Sequence, residues 1–150
     1  MRAVIQRVSK SSVKVNGEII GQTELGLLVL LGIEDLDTDE DVHWLAHKIT
    51  GLRIFSDSEE KMNLNIAQVG GDLLVISQFT LHASTKKGTR PSFIKAARPE
   101  KAIPLYERFV MECENILGKD VSTGKFGANM EVELTNDGPV TIIIDTKNKA

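Results

Sequence analysis

Leu25-Gly26-Leu27-Leu28-Val29-Leu30-Leu31-Gly32-Ile33 decides how the rest of the chain is read. The run is apolar at odd and even positions alike, so a strand built from it buries both faces, as a central strand does. It holds two glycines and is far shorter than a membrane span. Before it, residues 3–8 alternate in strand period, and residues 11–15 run into Asn16-Gly17. That pair suits a type I′ turn, whose two central residues take positive φ, and predicts a hairpin into Glu18-Ile19-Ile20. After it, Thr38-Asp39-Glu40-Asp41 has the form of a capping box, with carboxylates where a helix N-terminus favours them. Val42, Leu45 and Ile49 then make one buried helical stripe.

Further strands are expected at 52–55, 73–76, 121–126, 130–134 and 140–144. A second helix starts at Arg98-Pro99-Glu100, with proline where its missing N–H costs little. Ile103, Tyr106, Val110, Cys113 and Leu117 read as its apolar face, and Gly118 as its stop. The pattern predicts one α+β domain over residues 1–150, with a mostly antiparallel, barrel-like sheet and two main helices. Residues 145–150 read as a short polar end, free to fray.

The 150 residues carry 18 basic and 21 acidic side chains, a net charge of −3. That balance excludes a histone-like or tail-driven nucleic-acid binder but leaves room for a basic patch. Residues 1–14 hold Arg2, Arg7, Lys10 and Lys14 with no acid. Residues 82–101 hold Lys86, Lys87, Arg90, Lys95, Arg98 and Lys101 against Glu100 alone, while acid concentrates between Glu34 and Asp41. Either basic stretch can meet phosphates or simply form a solvated surface. The lone Cys113 excludes an internal disulfide. The first residues lack the apolar core and cleavage site of a signal peptide, so a soluble, cytoplasmic protein is expected.

Familiar catalytic machinery is missing. The sequence has no Gly-x-Gly-x-x-Gly, no Walker loop and no Gly-x-Ser-x-Gly elbow. His43 and His47 share a helix face, but the glutamate of a zinc-protease helix is absent and no third ligand is evident, so no metal is expected. Cys113 lies on an apolar stripe and reads as a packed thiol. What stands out is Ser77-Gln78-Phe79-Thr80-Leu81, polar residues crowded at the end of an apolar run. A threonine nucleophile needs a base beside it. If the strand continued, His82 would share a face with Thr80, though nothing orients that histidine. Asn136-Asp137-Gly138-Pro139-Val140-Thr141 reads as a turn between two strands, and X-Pro is the one peptide bond that is cis at low cost.

These two stretches, together with residues 1–8, 88–93 and 123–130, resemble the D-aminoacyl-tRNA deacylase family. Five segments match in order, from Met1 to about Asp145. The resemblance implies a hydrolase of the ester in D-aminoacyl-tRNA, acting in chiral proofreading of translation, without cofactor, metal or membrane. Its partner is the 3′ acceptor end of aminoacyl-tRNA. It also implies a homodimer with active sites at the subunit interface. There a cis Gly138-Pro139 enters the partner's pocket beside Ser77, Gln78, Phe79 and Thr80, faces the substrate's α-amino group and leaves no room for an L side chain. Arg7 is expected to hold that motif, and Phe126 and Met130 to hold the terminal adenosine. Amides around Phe79 and Thr80 would bind the ester carbonyl as an oxyanion hole.

The resemblance leaves two roles open for Thr80. Either it positions the substrate while the ribose 2′-hydroxyl of the tRNA assists, or it is the nucleophile; the lack of an accompanying base favours the first. Steric exclusion would also admit glycine, so glycyl-tRNA is an expected substrate. The stretch from Lys86 to Lys101 is the expected contact to the acceptor stem. Two readings from other classes stand beside these: a Thr80–His82 hydrolase of small esters, and a non-catalytic RNA-binding dimer.

Overall fold

A computed structural model describes residues 1–149. Its first strand, β1 (Arg2–Val15), is the hub of the main sheet. It turns through Asn16 and Gly17, both at positive φ, into β2 (Glu18–Thr23), as the Asn-Gly pair predicts. The doubly apolar run forms β3 (Gly26–Gly32), antiparallel to β1 with Ile5 opposite Val29. Helix α1 (Asp39–Gly51) follows, its start fixed by the Thr38 amide donating to Asp41 Oδ2 at 2.9 Å. The small hairpin of β4 (Phe55–Ser56) and β5 (Met62–Leu64) leads into β6 (Asp72–Ser77) and a 3₁₀ turn (Phe79–His82). Helix α2 (Pro99–Leu117) ends at Gly118, which takes φ +68°. The chain finishes through β7 (Ser122–Thr123) and the long β8 (Glu131–Asp145).

The α+β class, the two main helices and the nearly closed, barrel-like sheet agree with the sequence reading. The sheet is mixed rather than uniform. β1 pairs antiparallel with β2, β3 and β8, while β6 lies parallel to both β3 and β7. In the order β2-β1-β3-β6-β7 the two ends approach each other, with Gly21 of β2 against the Thr123 carbonyl of β7.

Strand alternation explains the doubly apolar run. Leu27, Val29 and Leu31 of β3, with Leu73 and Val75 of β6, face the helices. Leu28, Leu74 and Ile76 face inward with Val8 and Val13. Each fully buried Leu, Ile or Val side chain stabilises by roughly 1.5–3 kcal/mol, so both faces of these two strands are needed to hold the sheet.

Four expectations change. The 52–55 strand shrinks to β4, because the Leu52 amide still caps α1 on the Ile49 carbonyl. The 121–126 strand is only β7. The α2 stripe is Ala102, Leu105, Tyr106, Phe109 and Cys113, with Ile103, Val110 and Leu117 on its shoulder. The end after Asp145 is tied down through its described residues: Thr146 is buried and accepts from the Met1 ammonium at 2.9 Å, and Lys147 pairs with Asp41 at 2.9 Å. Ala150 lies outside the described residues. Among those residues no helix is long and apolar enough to cross a membrane.

Candidate active site

The parallel strands β3, β6 and β7 deliver their C-terminal ends to one edge of the sheet, and the chain near those ends surrounds a cavity of about 270 Å³. Leu31 and Ile33 come from β3 and just beyond, Ser77, Gln78 and Phe79 from the end of β6, and Phe126 and Met130 from the segment after β7. Ala97 and Ala102 close the wall from the start of α2. Five residues singled out in the sequence therefore share one cavity. The apolar wall of Leu31, Ile33, Ala97 and Ala102 had no signal beyond its hydrophobicity.

Strand β6 stops where Gln78 N–H donates to the Leu31 carbonyl at 2.8 Å and the chain curls into the 3₁₀ turn. Gly32 permits that curl, since a Cβ there would lie 3.0 Å from the Gln78 carbonyl and 3.1 Å from His82 Cδ2. A turn of this kind leaves its first amides without intrahelical partners. Among the described residues, neither the Phe79 nor the Thr80 N–H donates to a protein acceptor, while Leu81 and Ala83 bond back to Gln78 and Thr80. Phe79 is 55% exposed and packs edge-on against Phe93, with centroids 5.2 Å apart.

Thr80 stands on the outer rim, exposed, its hydroxyl accepting from Gln78 Nε2 at 2.5 Å. The strand-period pairing of Thr80 with His82 does not occur, because the turn replaces the strand. His82 is buried instead, with Nδ1 3.6 Å from Glu34 Oε2. Among the described residues no imidazole is thus placed to take a proton from Thr80.

Two supports lie behind the cavity. The Tyr106 hydroxyl donates to the Val75 carbonyl at 2.6 Å, its ring meets Phe126 edge-on, and burial pushes its pKa up to about 12. Arg2, which sequence reading noted only as part of a basic cluster, pairs with Asp145 at 2.9 Å and donates to the Leu81 carbonyl at 2.7 Å, fixing the far end of the turn.

Gly138, Pro139 and Arg7 form a second group apart from this cavity and do not line it. Gly138 and Pro139 do not lie in a turn between two strands, as the sequence suggested, but inside the continuous β8, while Arg7 faces them from β1. The β1–β8 register passes from Gln6 opposite Thr141 to Val8 opposite Asn136, so Asp137, Gly138, Pro139 and Val140 face Arg7 alone. Such a bulge is where a sheet tolerates proline. The Gly138-Pro139 bond is cis, and Gly138 takes φ +140°. Arg7 fills the space below, donating to the Asp137 carbonyl at 2.9 Å and the Ile54 carbonyl at 2.7 Å. Asn136 closes the bulge by accepting from the Val140 amide at 2.8 Å.

A third feature is basic. Beyond the 3₁₀ turn, Ser84 and Ser92 pair across a loop whose Lys86, Lys87, Arg90 and Lys95 surround a recess of about 330 Å³ that His82 also lines.

A family model for D-Tyr-tRNA(Tyr) deacylase matches residues 4–145. A D-aminoacyl-tRNA deacylase of Flavobacterium psychrophilum is 58% identical over 149 residues, which cover 99% of each chain. One of Bacteroides fragilis is 59% identical over the same share. The solved structure of the c-Myc DNA Unwinding Element Binding Protein superposes with a TM-score of 0.91 at 38% identity, covering 97% of this chain and 99% of that one.

Proposed function

The chain belongs to the D-Tyr-tRNA(Tyr) deacylase family, and from that premise we propose that it hydrolyses the ester joining a D-amino acid to the 3′ end of tRNA. The observation that carries this reading is the joining, in one cavity, of Ser77, Gln78 and Phe79 with Phe126 and Met130. The terminal adenosine rests against Phe126 and Met130, and the ester carbonyl reaches the open amides of Phe79 and Thr80. Those amides stabilise the oxyanion as water adds to the carbonyl carbon. The carbon–oxygen bond to the ribose then breaks, and the proton from water passes to the leaving ribose oxygen.

Thr80 lacks a base, so its hydroxyl positions substrate and the neighbouring 2′-hydroxyl of the tRNA assists the proton transfer. Selectivity comes from a second copy of the chain. Within one chain the Gly138-Pro139 bulge stands exposed and away from the cavity, and β8 leaves Ile143 69% exposed. Paired copies would cover that strand and bring each bulge to the other's cavity mouth. There the Gly138 and Pro139 carbonyls would receive the α-amino group and exclude an L side chain. Glycine, with no side chain to exclude, passes. The basic loop from Lys86 to Lys95 meets the backbone phosphates of the acceptor stem.

The test compares D-tyrosyl-, L-tyrosyl- and glycyl-tRNA with the wild type and Thr80→Ala. The expected outcome is loss of the D and glycyl esters only, with the variant keeping at least about a tenth of the wild-type rate. Selective cleavage abolished in a folded, tRNA-binding Thr80→Ala would return the nucleophile role to Thr80. Survival of all three esters with wild type would overturn the activity itself.

A further inference from the structure

His43 and His47 lie one turn apart on the exposed face of α1, a spacing that brings their rings together on one side of a helix. The sequence shows no third ligand near them, but the fold supplies one. α2 packs beside α1 and presents Glu112, whose Oε1 lies 2.9 Å from His43 Nδ1 and 3.1 Å from His47 Nε2. The two rings lie tilted to each other at 48°, with centroids 4.3 Å apart. All three ligating atoms lie within 4.8 Å of one another.

In a tetrahedral zinc shell, bonds of about 2.0–2.2 Å set neighbouring ligand atoms about 3.4 Å apart. The side chains are 69%, 50% and 29% exposed, so small rotations reach that arrangement without disturbing the core. We propose that His43, His47 and Glu112 bind a transition-metal ion of the zinc class, which clamps α1 to α2. Two imidazoles and one carboxylate suit zinc, nickel or copper, whereas magnesium and calcium prefer oxygen donors alone. Exposure leaves the fourth position to water. Cys113, the next residue along α2, is fully buried in the hydrophobic core and is not one of the clustered ligand atoms. The clamp adds to a cross-helix contact already present one turn away, where Arg108 of α2 pairs with Asp39 of α1.

The experiment titrates zinc into the metal-free full chain by calorimetry and follows thermal unfolding. One saturating site is expected, with the midpoint rising by roughly 2–8 °C while magnesium leaves it unchanged. His47→Ala and Glu112→Gln should each weaken binding by about tenfold or more, because each removes one of only three protein ligands. Cobalt in place of zinc should give visible absorption bands in the wild type that both variants lose. The metal-free midpoint of each variant checks that it is folded. Absence of saturation in the wild type would overturn the proposal, as would saturable binding that survives both substitutions.

Discussion

The 3₁₀ turn after β6 and the bulge in β8 both hold irregular backbone, yet they are held in opposite ways. The turn is concave and completed within one chain, with Gly32 beneath it, Arg2 fixing its far end and α2 closing the wall. The bulge is convex, with Asp137, Gly138 and Pro139 exposed and Arg7 and Asn136 behind it. A concave site can be shaped by its own core. A convex one gains a function only from what it meets. The contrast separates two tasks within the proposed reaction: the turn supplies fixed donors for the ester, and the bulge supplies rejection to a neighbouring copy.

Changing the bulge alone tests that division most severely. A Cβ at Gly138 would lie 2.8 Å from Val140 Cγ2 and 3.0 Å from Val140 N, at a φ of +140° that side chains rarely adopt. Gly138→Ala must therefore reshape the bulge while leaving the cavity untouched. We expect kcat/KM for D-tyrosyl-tRNA to fall by about 100-fold or more, since a displacement near 1 Å can cost that much. Co-expression with an Ala97→Phe chain, whose own cavity is filled, should restore about a quarter of the wild-type activity through mixed dimers carrying one intact site. Unchanged activity in Gly138→Ala would remove the bulge from the site.

Arg7→Ala is gentler. It deletes two charge-assisted bonds to backbone carbonyls, each worth about 1.5–3 kcal/mol, and lets the bulge move without forcing it. A roughly tenfold loss in kcat/KM is expected, together with leakage toward L-tyrosyl-tRNA. A uniform loss on D esters with no gain on L esters would show that Arg7 supports the sheet rather than selectivity.

How much of this was legible depended on how local the cause was. The doubly apolar run 25–33, the Asn16-Gly17 turn and both helix starts were readable because each signal lies within a few residues of the element it makes. The bulge was not, because it arises from a mismatch between β1 and β8, strands more than a hundred residues apart. Read alone, Gly138-Pro139 resembles any turn. The apolar spacing of α2 points slightly off the true axis of its buried stripe, because packing against the sheet selects Leu105 and Phe109 over Ile103 and Val110. Glu112 carried no hint of its place beside two histidines, since only tertiary packing brings it there. The acidic stretch 34–41 looked like one feature and is several. Asp37 is buried against the Met1 ammonium, Asp41 caps α1 and holds Lys147, and Glu34 faces His82.

The same contrast runs along β8 itself. Its C-terminal end is pinned by carboxylates, whereas its bulge is held by hydrogen bonds from Arg7 to the Asp137 and Ile54 backbone carbonyls. The Asp137 carboxylate, 3.6 Å from Arg7 and half exposed, adds little there. Burial works against ionised Asp41, yet bonds from Thr146, Lys147 and the Thr38 amide hold its carboxyl well below the ordinary 3.8. Asp145 is lowered as well, against its own burial, by the Lys147 amide and Arg2. A depressed carboxyl stabilises the fold above its unfolded pKa, and that contribution is lost as pH falls through the folded value. The midpoint should thus hold level from pH 7 to about 4 and fall below it. Asp41→Asn should lower the neutral midpoint by roughly 3–6 °C and flatten the acid limb, so that the gap between the two curves narrows as pH falls below about 4. Amide exchange distinguishes the ends. The Thr146 amide, bonded to the Met1 carbonyl, should lose protection in acid before the Val140 amide, which is bonded to the Asn136 side chain. Loss of both together would mean that β8 is one unit and that the bulge owes its shape to the same carboxylates that pin the end.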